Sequence, residues 1–222
     1  MAVSPPIVAD AGEIPKLSFA VTGADPERYS AAPTLNFAVR VERAGGGPVR
    51  SILLDAQIQI AARRRPYGEA EKAWLIELFG TPERWSTTLR TVLWTRTTLV
   101  VPPFSDTAEI TLPVACSYDL EAAASNYLSA LQDGEVPLEF LFTGSVFYAG
   151  PGGMLQTARI SWDSEAEYRL PVRVWREAMD RHFPDAAWVR LGRPAFDRLR
   201  AYKAEHGLRT LEDAVERLTG EG

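Results

Sequence analysis

The sequence predicts an α+β protein: an antiparallel β-sandwich or curved sheet with helical insertions and a helical C-terminal appendage. Three observations lead there. Apolar residues alternate with polar ones at period two in successive segments between Leu17 and Leu170, as strands with one buried face require. Gly- and Pro-rich breaks separate these segments, and two stretches of helical spacing interrupt them. After Pro171 the spacing is helical.

Leu17, Phe19 and Val21 share one face of the first strand, and Leu35, Phe37, Val39 and Val41 one face of the second, with a break from Gly23 to Pro33. The third carries Ile52, Leu54, Ala56, Ile58 and Ile60, and Gly45-Gly46-Gly47-Pro48 ahead of it reads as a hairpin-type loop. Its other face presents Asp55, Gln57 and Gln59. That face is solvated or lines a groove, and a sheet with one wet face is normally antiparallel.

Trp74, Leu75, Leu78 and Phe79 mark a short helix over residues 69–79, stopped by Gly80-Thr81-Pro82. The Thr-rich stretch from Thr87 to Val101 has high strand propensity, and Ala108, Ile110, Leu112 and Val114 alternate after it. Asp119 is placed to cap a helix running to Leu131, with Leu120, Ala124, Tyr127 and Leu128 on its stripe and Gly134 beyond its end. Strands over 136–148 and 154–162 flank Gly150-Pro151-Gly152-Gly153 as a hairpin, and a short strand over 166–170 follows. Three helical patterns finish the chain: Val174 to Met179; Phe196 to Lys203, with Pro194 in its first turn and Gly207 ending it; and Leu211 to Leu218, opened by a Thr210–Asp213 capping box. The expected organisation is a flexible leader at 1–14, a β-rich domain at 15–170 and a helical region at 171–222.

A chain of 222 residues with 46% hydrophobic and 24% charged content holds a sizeable core. Apolar runs such as Leu99-Val100-Val101 are far shorter than the roughly 18 residues of a spanning helix, so no membrane partner is expected. Residues 1–14 contain no Lys or Arg and no continuous apolar run, unlike a secretory signal. A single cysteine, Cys116, excludes an internal disulfide and fits a reducing, cytoplasmic compartment. The net charge of -5 argues against binding nucleic acid along a whole face.

Little in the sequence carries chemistry. His182 and His206 are the only histidines, both near helix ends where capping outranks a ligand role, so no metal and no cofactor are expected. Cys116 reads as a small buried hydrophobe, the alternative being a thiolate nucleophile ahead of a helix. The two glycine clusters lack the Lys-Ser/Thr of a phosphate loop, and Asp163 with Glu165 and Glu212 with Asp213 sit in ordinary polar contexts. Of the six tryptophans, Trp74, Trp94, Trp162 and Trp175 fall on apolar stripes and read as core, the alternative being a protein interface. Arg63, Arg64 and Arg65 with Tyr67 are the candidate partner-binding residues, since three consecutive cations cannot all be buried; a solvated loop is the alternative.

Two resemblances arise from these segments. Trp188-Val189-Arg190-Leu191, the helix over 194–203, Gly207 and the helix over 210–218 resemble the strand-helix-helix order of ribbon-helix-helix repressors, which implies dimerisation and a DNA-reading role for Arg190. Pro-Thr-Leu-Asn-Phe at 33–37, Glu-Leu-Phe-Gly at 77–80, Leu-Trp-Thr at 93–95, Val-Ala-Cys-Ser-Tyr-Asp at 114–119, Asp-Gly-Glu-Val-Pro-Leu at 133–138 and Tyr-Arg-Leu-Pro-Val-Arg-Val-Trp at 168–175 resemble an uncharacterised bacterial family encoded beside nickel–iron hydrogenase genes. That resemblance implies an accessory role in assembling, maturing or docking a metalloenzyme. The expectation is therefore a non-catalytic module whose partner is another protein, with a homodimer allowed. A DNA-binding regulator acting through Arg190 and an enzyme using Cys116 are the alternatives.

Overall fold

The computed structural model describes residues 13–116, 119, 122–184 and 190–220. The expected leader falls almost wholly outside these residues, as do Leu120 and Trp188. Two compact units divide the chain, Met1–Ala186 and Ala187–Gly222.

The first unit is an antiparallel sandwich. Its smaller sheet has the order β1-β2-β5, from β1 (Lys16–Pro26), β2 (Thr34–Ala44) and β5 (Thr107–Ala115). Its larger sheet has the order β4-β3-β6-β7, from β3 (Val49–Ile60), β4 (Val92–Val101), β6 (Glu135–Ala149) and β7 (Leu155–Arg159), and β8 (Glu165–Pro171) also pairs with β6. β7 binds β6 at 145–149 and β8 binds it at 135–141, so two short strands share one edge. The α+β class expected from the alternation is the class observed.

The alternating residues meet between the sheets. Leu35, Phe37, Val39 and Val41 of β2 and Ile52, Leu54, Ala56, Ile58 and Ile60 of β3 are all buried. Phe37 packs edge-on against Phe140 at 5.2 Å, and Phe19 stacks on Phe142 at 4.4 Å, each pair crossing from one sheet to the other. Burying side chains of this size is worth about 1.5–3 kcal/mol apiece.

Two breaks differ from the sequence expectation. The Gly45-Gly46-Gly47-Pro48 loop is no hairpin, because β2 pairs with β1 and β5 while β3 pairs with β4 and β6; the loop carries the chain from one sheet to the other. Gly23 does not end the first strand: the ladder shifts register between Val21 and Gly23, and β1 continues to Pro26. A bulge absorbs the glycine instead of a turn.

Helices close one end of the sandwich. α1 (Glu69–Phe79), the single turn α2 (Trp85–Thr88) and α3 (Ala123–Ala130) lie in the β3–β4 and β5–β6 connections. The Thr-rich stretch therefore starts helical, with strand only from Val92. Buried Leu75, Phe79, Tyr127 and Leu128 pack there with the half-buried Tyr67 and Trp85. α4 (Val172–His182) follows β8 directly and buries Val172, Val174, Trp175, Ala178 and Met179 against the same core. Pro171, expected to open a separate helical region, is the hand-over from β8 to α4 within the first unit.

The second unit contains α5 (Arg193–Glu205) and α6 (Leu211–Gly220), a helix pair joined by a short turn through Gly207 at φ 63°. The Thr210–Asp213 capping box is present: Asp213 N–H donates to Thr210 Oγ1 and Thr210 N–H to Asp213 Oδ2, both at 2.9 Å.

Candidate partner-binding face

With the inner residues of the larger sheet committed to the core, period-two geometry turns the alternate set outward. On β3 these are Leu53, Asp55, Gln57 and Gln59. Cross-strand pairing sets Val100 and Ser145 beside Leu53, Thr98 and Thr143 beside Asp55, Arg96 and Leu141 beside Gln57, and Leu93 and Glu139 beside Gln59. The polar row expected from Asp55, Gln57 and Gln59 thus lies on an open sheet face. Asp55 and Gln57 line a shallow depression of about 460 Å³ with Arg96, Thr98, Leu141 and Thr143.

The face changes character along its length. At one end Val100 of β4, Leu53 of β3, Phe147 of β6 and Leu155 of β7 follow one another diagonally across four strands. Val100 is 66% exposed, Leu53 44% and Leu155 68%. In the middle the polar side chains pair across strands, Thr98 Oγ1 donating to Asp55 Oδ1 at 2.5 Å and Arg96 Nε to Gln57 Oε1 at 2.8 Å. At the far end Arg64 bridges Glu139 of β6 at 3.0 Å and Glu167 of β8 at 2.6 Å. An apolar stripe beside satisfied but exposed polar groups matches the anatomy of protein interfaces.

Beside β7 stands Trp162, in the link between β7 and β8. Ile160 N–H donates to Gly144 O on one side of that link and Phe142 N–H to Ser164 O on the other. Between these anchors the indole is 92% exposed, and Trp74 on α1 is 70% exposed. The core reading therefore fails for both, while Trp175 is buried and Trp94 half-buried edge-on to Phe37. A cleft of about 610 Å³ opens next to Trp162, lined among others by Lys16, Leu17, Arg159, Ser161 and Asp163.

The cationic run divides. Arg63 donates to the carbonyl oxygens of Leu89 and Ser86, and Arg64 joins the outer face as described. Arg65 turns inward to the buried Glu71 and to Asp133 O. Tyr67 donates to Ala62 O at 2.6 Å, so the Tyr127 hydroxyl, 2.8 Å away, donates to Tyr67. Burial pushes the Tyr67 phenol up to about 12 and raises that of Tyr127 as well. Only Arg63 and Arg64 of this set are exposed. Glu71, which anchors Arg65, was not legible in the sequence: on a helix start a glutamate reads as a solvated charge complementing the dipole.

The remaining candidates take structural places. Cys116 is buried, and burial pushes its thiol up to about 12, which removes support for a thiolate nucleophile. His182 sits at the end of α4 with Nδ1 3.0 Å from Ala178 O and Nε2 3.0 Å from Ser30 O, tying the helix end to the β1–β2 connection. His206 lies 2.9 Å from Tyr202 O and stacks on the Tyr202 ring. Arg190 precedes α5 outside any strand. Among the described residues no group of three or more His, Cys, Asp or Glu is arranged to hold a metal ion, and no helix is long and apolar enough to cross a membrane.

The model of a family of unknown function, DUF6084, matches residues 14–221, and the chain belongs to that family. A comparison with curated proteins finds no match. Among solved structures the chain is similar to the CARDB domain of the PF1109 protein of Pyrococcus furiosus, solved in complex with di-metal ions, at 11% identity and a TM-score of 0.29, covering 76% of this chain and 98% of that one. It is also similar to the putative ApaA protein of Bordetella pertussis, at 13% identity and a TM-score of 0.25, covering 70% of this chain and 93% of that one.

Proposed function

We propose that this member of an unknown-function family is a non-catalytic protein-binding module, cytoplasmic, serving as an accessory in assembling or maturing a metalloenzyme such as a nickel–iron hydrogenase. The observation that supports binding is the Val100–Leu53–Phe147–Leu155 stripe on the open face of the larger sheet, together with the exposed Trp162 in the β7–β8 link of the same sheet. Exposed aromatic and aliphatic anchors bordered by polar groups are what partner surfaces provide, and tryptophan dominates their energetics. The buried, protonated Cys116 and the histidines engaged with backbone carbonyls favour a binding role over catalysis. The metalloenzyme assignment rests on the sequence phrases shared with the hydrogenase-linked family.

The test is capture from the native cell with the tagged chain and with Leu53→Glu and Trp162→Ala. A stoichiometric partner held by the parent chain and lost from both variants supports the reading. A partner that is a hydrogenase subunit or maturation factor supports its finer part. Recovery of nothing above background, or equal recovery by both variants, overturns it.

A further inference from the structure

The helix pair of the second unit is short of core. Among its described residues only Ala214 is fully buried; Phe196, Leu199, Leu208 and Leu211 are half-exposed, and Val215 and Leu218 are 46% and 55% exposed. Units below about 40 residues seldom bury enough apolar surface to hold themselves together without an added staple or an oligomeric partner. Against that shortage, the pair displays both halves of a contact.

One half is a groove of about 480 Å³ between the helices, with an apolar floor of Phe196, Leu208 and Leu211 and a cationic rim of Arg200 and Lys203. The Arg200 guanidinium lies 5.9 Å from the centre of the Phe196 ring, holding it at that rim. The other half is the apolar stripe of α6 itself. Val215 and Leu218 continue it from Leu211 at i+4 and i+7, and Glu212 stands one turn before Val215 at i−3. Asp213, by contrast, is engaged in capping.

The charges of the two helices are opposite. α5 carries four cations against two carboxylates, and α6 three carboxylates against one cation. An acidic helix bearing apolar knobs and a basic-rimmed apolar groove are complementary, and both belong to the same short unit.

We propose that the occupant of this groove is a second copy of the chain, forming a two-fold dimer through α5 and α6. Val215 and Leu218 of each copy enter the groove of the other, and Glu212 faces Arg200 and Lys203 of that other copy. The exchange is reciprocal, so the contact closes on itself and stops at two copies. The result is a four-helix arrangement that supplies the core each pair lacks. This inference uses none of the residues of the larger sheet's outer face and stands or falls apart from the partner reading above.

The experiment is sedimentation equilibrium of the full-length chain across about 1–100 μM, a range matched to the micromolar affinities small interfaces commonly reach. A dimer is expected, and Val215→Glu with Leu218→Glu should convert it to monomer with an unchanged far-ultraviolet spectrum. Glu212→Lys alone should weaken association about tenfold or more through repulsion from the cationic rim. Adding Arg200→Glu to Glu212→Lys should restore association to within a few-fold of the parent, an outcome that misfolding of either single variant could not produce. A parent chain that stays monomeric throughout, a dimer that survives Val215→Glu with Leu218→Glu, or a charge exchange that restores nothing overturns the proposal.

Discussion

Arg65 and Glu71 form an ion pair inside the protein, Nη2 donating to Oε1 at 2.8 Å with each side chain only 8% exposed. The same carboxylate accepts the N–H groups of Gly68 at 3.0 Å and Gln132 at 2.9 Å. One side chain therefore joins the end of the cationic run, the start of α1 and the turn between α3 and β6. Arg65 Nη1, equally buried, has no hydrogen-bond partner, so the pair compensates part of its own desolvation only.

Removing one member should be costly because the other stays buried and charged. Arg65→Ala or Glu71→Ala is expected to lose about 3–5 kcal/mol in urea unfolding followed by tryptophan fluorescence. A double replacement by apolar residues, often neutral for a simple buried pair, should recover only in part here, since the Gly68 and Gln132 N–H groups would lose their carboxylate acceptor. A loss below about 1 kcal/mol in the single variants would show the pair to be as exposed as a surface bridge.

The buried thiol sets an alkaline limit. Cys116 is pushed from its ordinary 9.0 up to about 12 by burial, so between those values the unfolded chain releases a proton that the folded chain keeps. Its contribution is fully present below about 9 and is lost as pH rises through the folded value, at up to about 1.4 kcal/mol per pH unit. Tyr67 acts in the same direction from 10.0 to about 12. Unfolding free energy should fall from about pH 9 toward pH 12, and Cys116→Ala should fall less steeply from a lower starting value. Parallel pH profiles for the two chains would refute burial of the thiol, as would fast native-state labelling at pH 8.

How much of this was legible in the sequence depended on which interaction decided each residue's place. Alternation located β2, β3 and β5 because burying one face is a local, period-two property. It also turned the row Asp55, Gln57 and Gln59 away from the core, with groove or open surface left undecided, yet it could not assemble the apolar stripe. Leu53 breaks the polar set of its strand, and Val100 and Phe147 stand next to buried neighbours, so only the register between strands reveals that they share a face. Trp162 and Trp74 misled for the opposite reason: size and apolarity favour the core, but position in a strand link or on the outer side of α1 overrode them. The Gly45–Pro48 loop looked like a hairpin because turn chemistry is local while the choice of sheet is not.

The face assignment is testable by parity along β3. Leu54 is fully buried and its neighbour Leu53 is 44% exposed on the other side. Leu54→Ala should therefore lose about 2–5 kcal/mol, as large-to-small core changes do. Leu53→Ala should stay within about 1 kcal/mol, as surface changes mostly do. Equal losses at both positions would mean that the outer face is covered in solution, and a reversed order would mean that β3 has slipped by one residue.

Gly144 holds the stripe in register, and its need is steric more than conformational. It sits in β6 at φ 136°, opposite Leu54, and a Cβ there would lie 2.0 Å from the carbonyl oxygen of Leu53. Its own carbonyl receives the N–H of Ile160, the anchor from which the Trp162 link departs. Gly144→Ala must therefore push β6 away from β3, and should lose at least about 2 kcal/mol, more than the roughly 1–2 kcal/mol that a left-handed backbone alone costs an alanine. Gly152 supplies the control, with φ 68° and nothing within 4 Å of its would-be Cβ. If clash decides, thermal unfolding should show Gly144→Ala well below Gly152→Ala; equal shifts would mean that φ alone governs both sites and that β6 and β3 are not in close contact there.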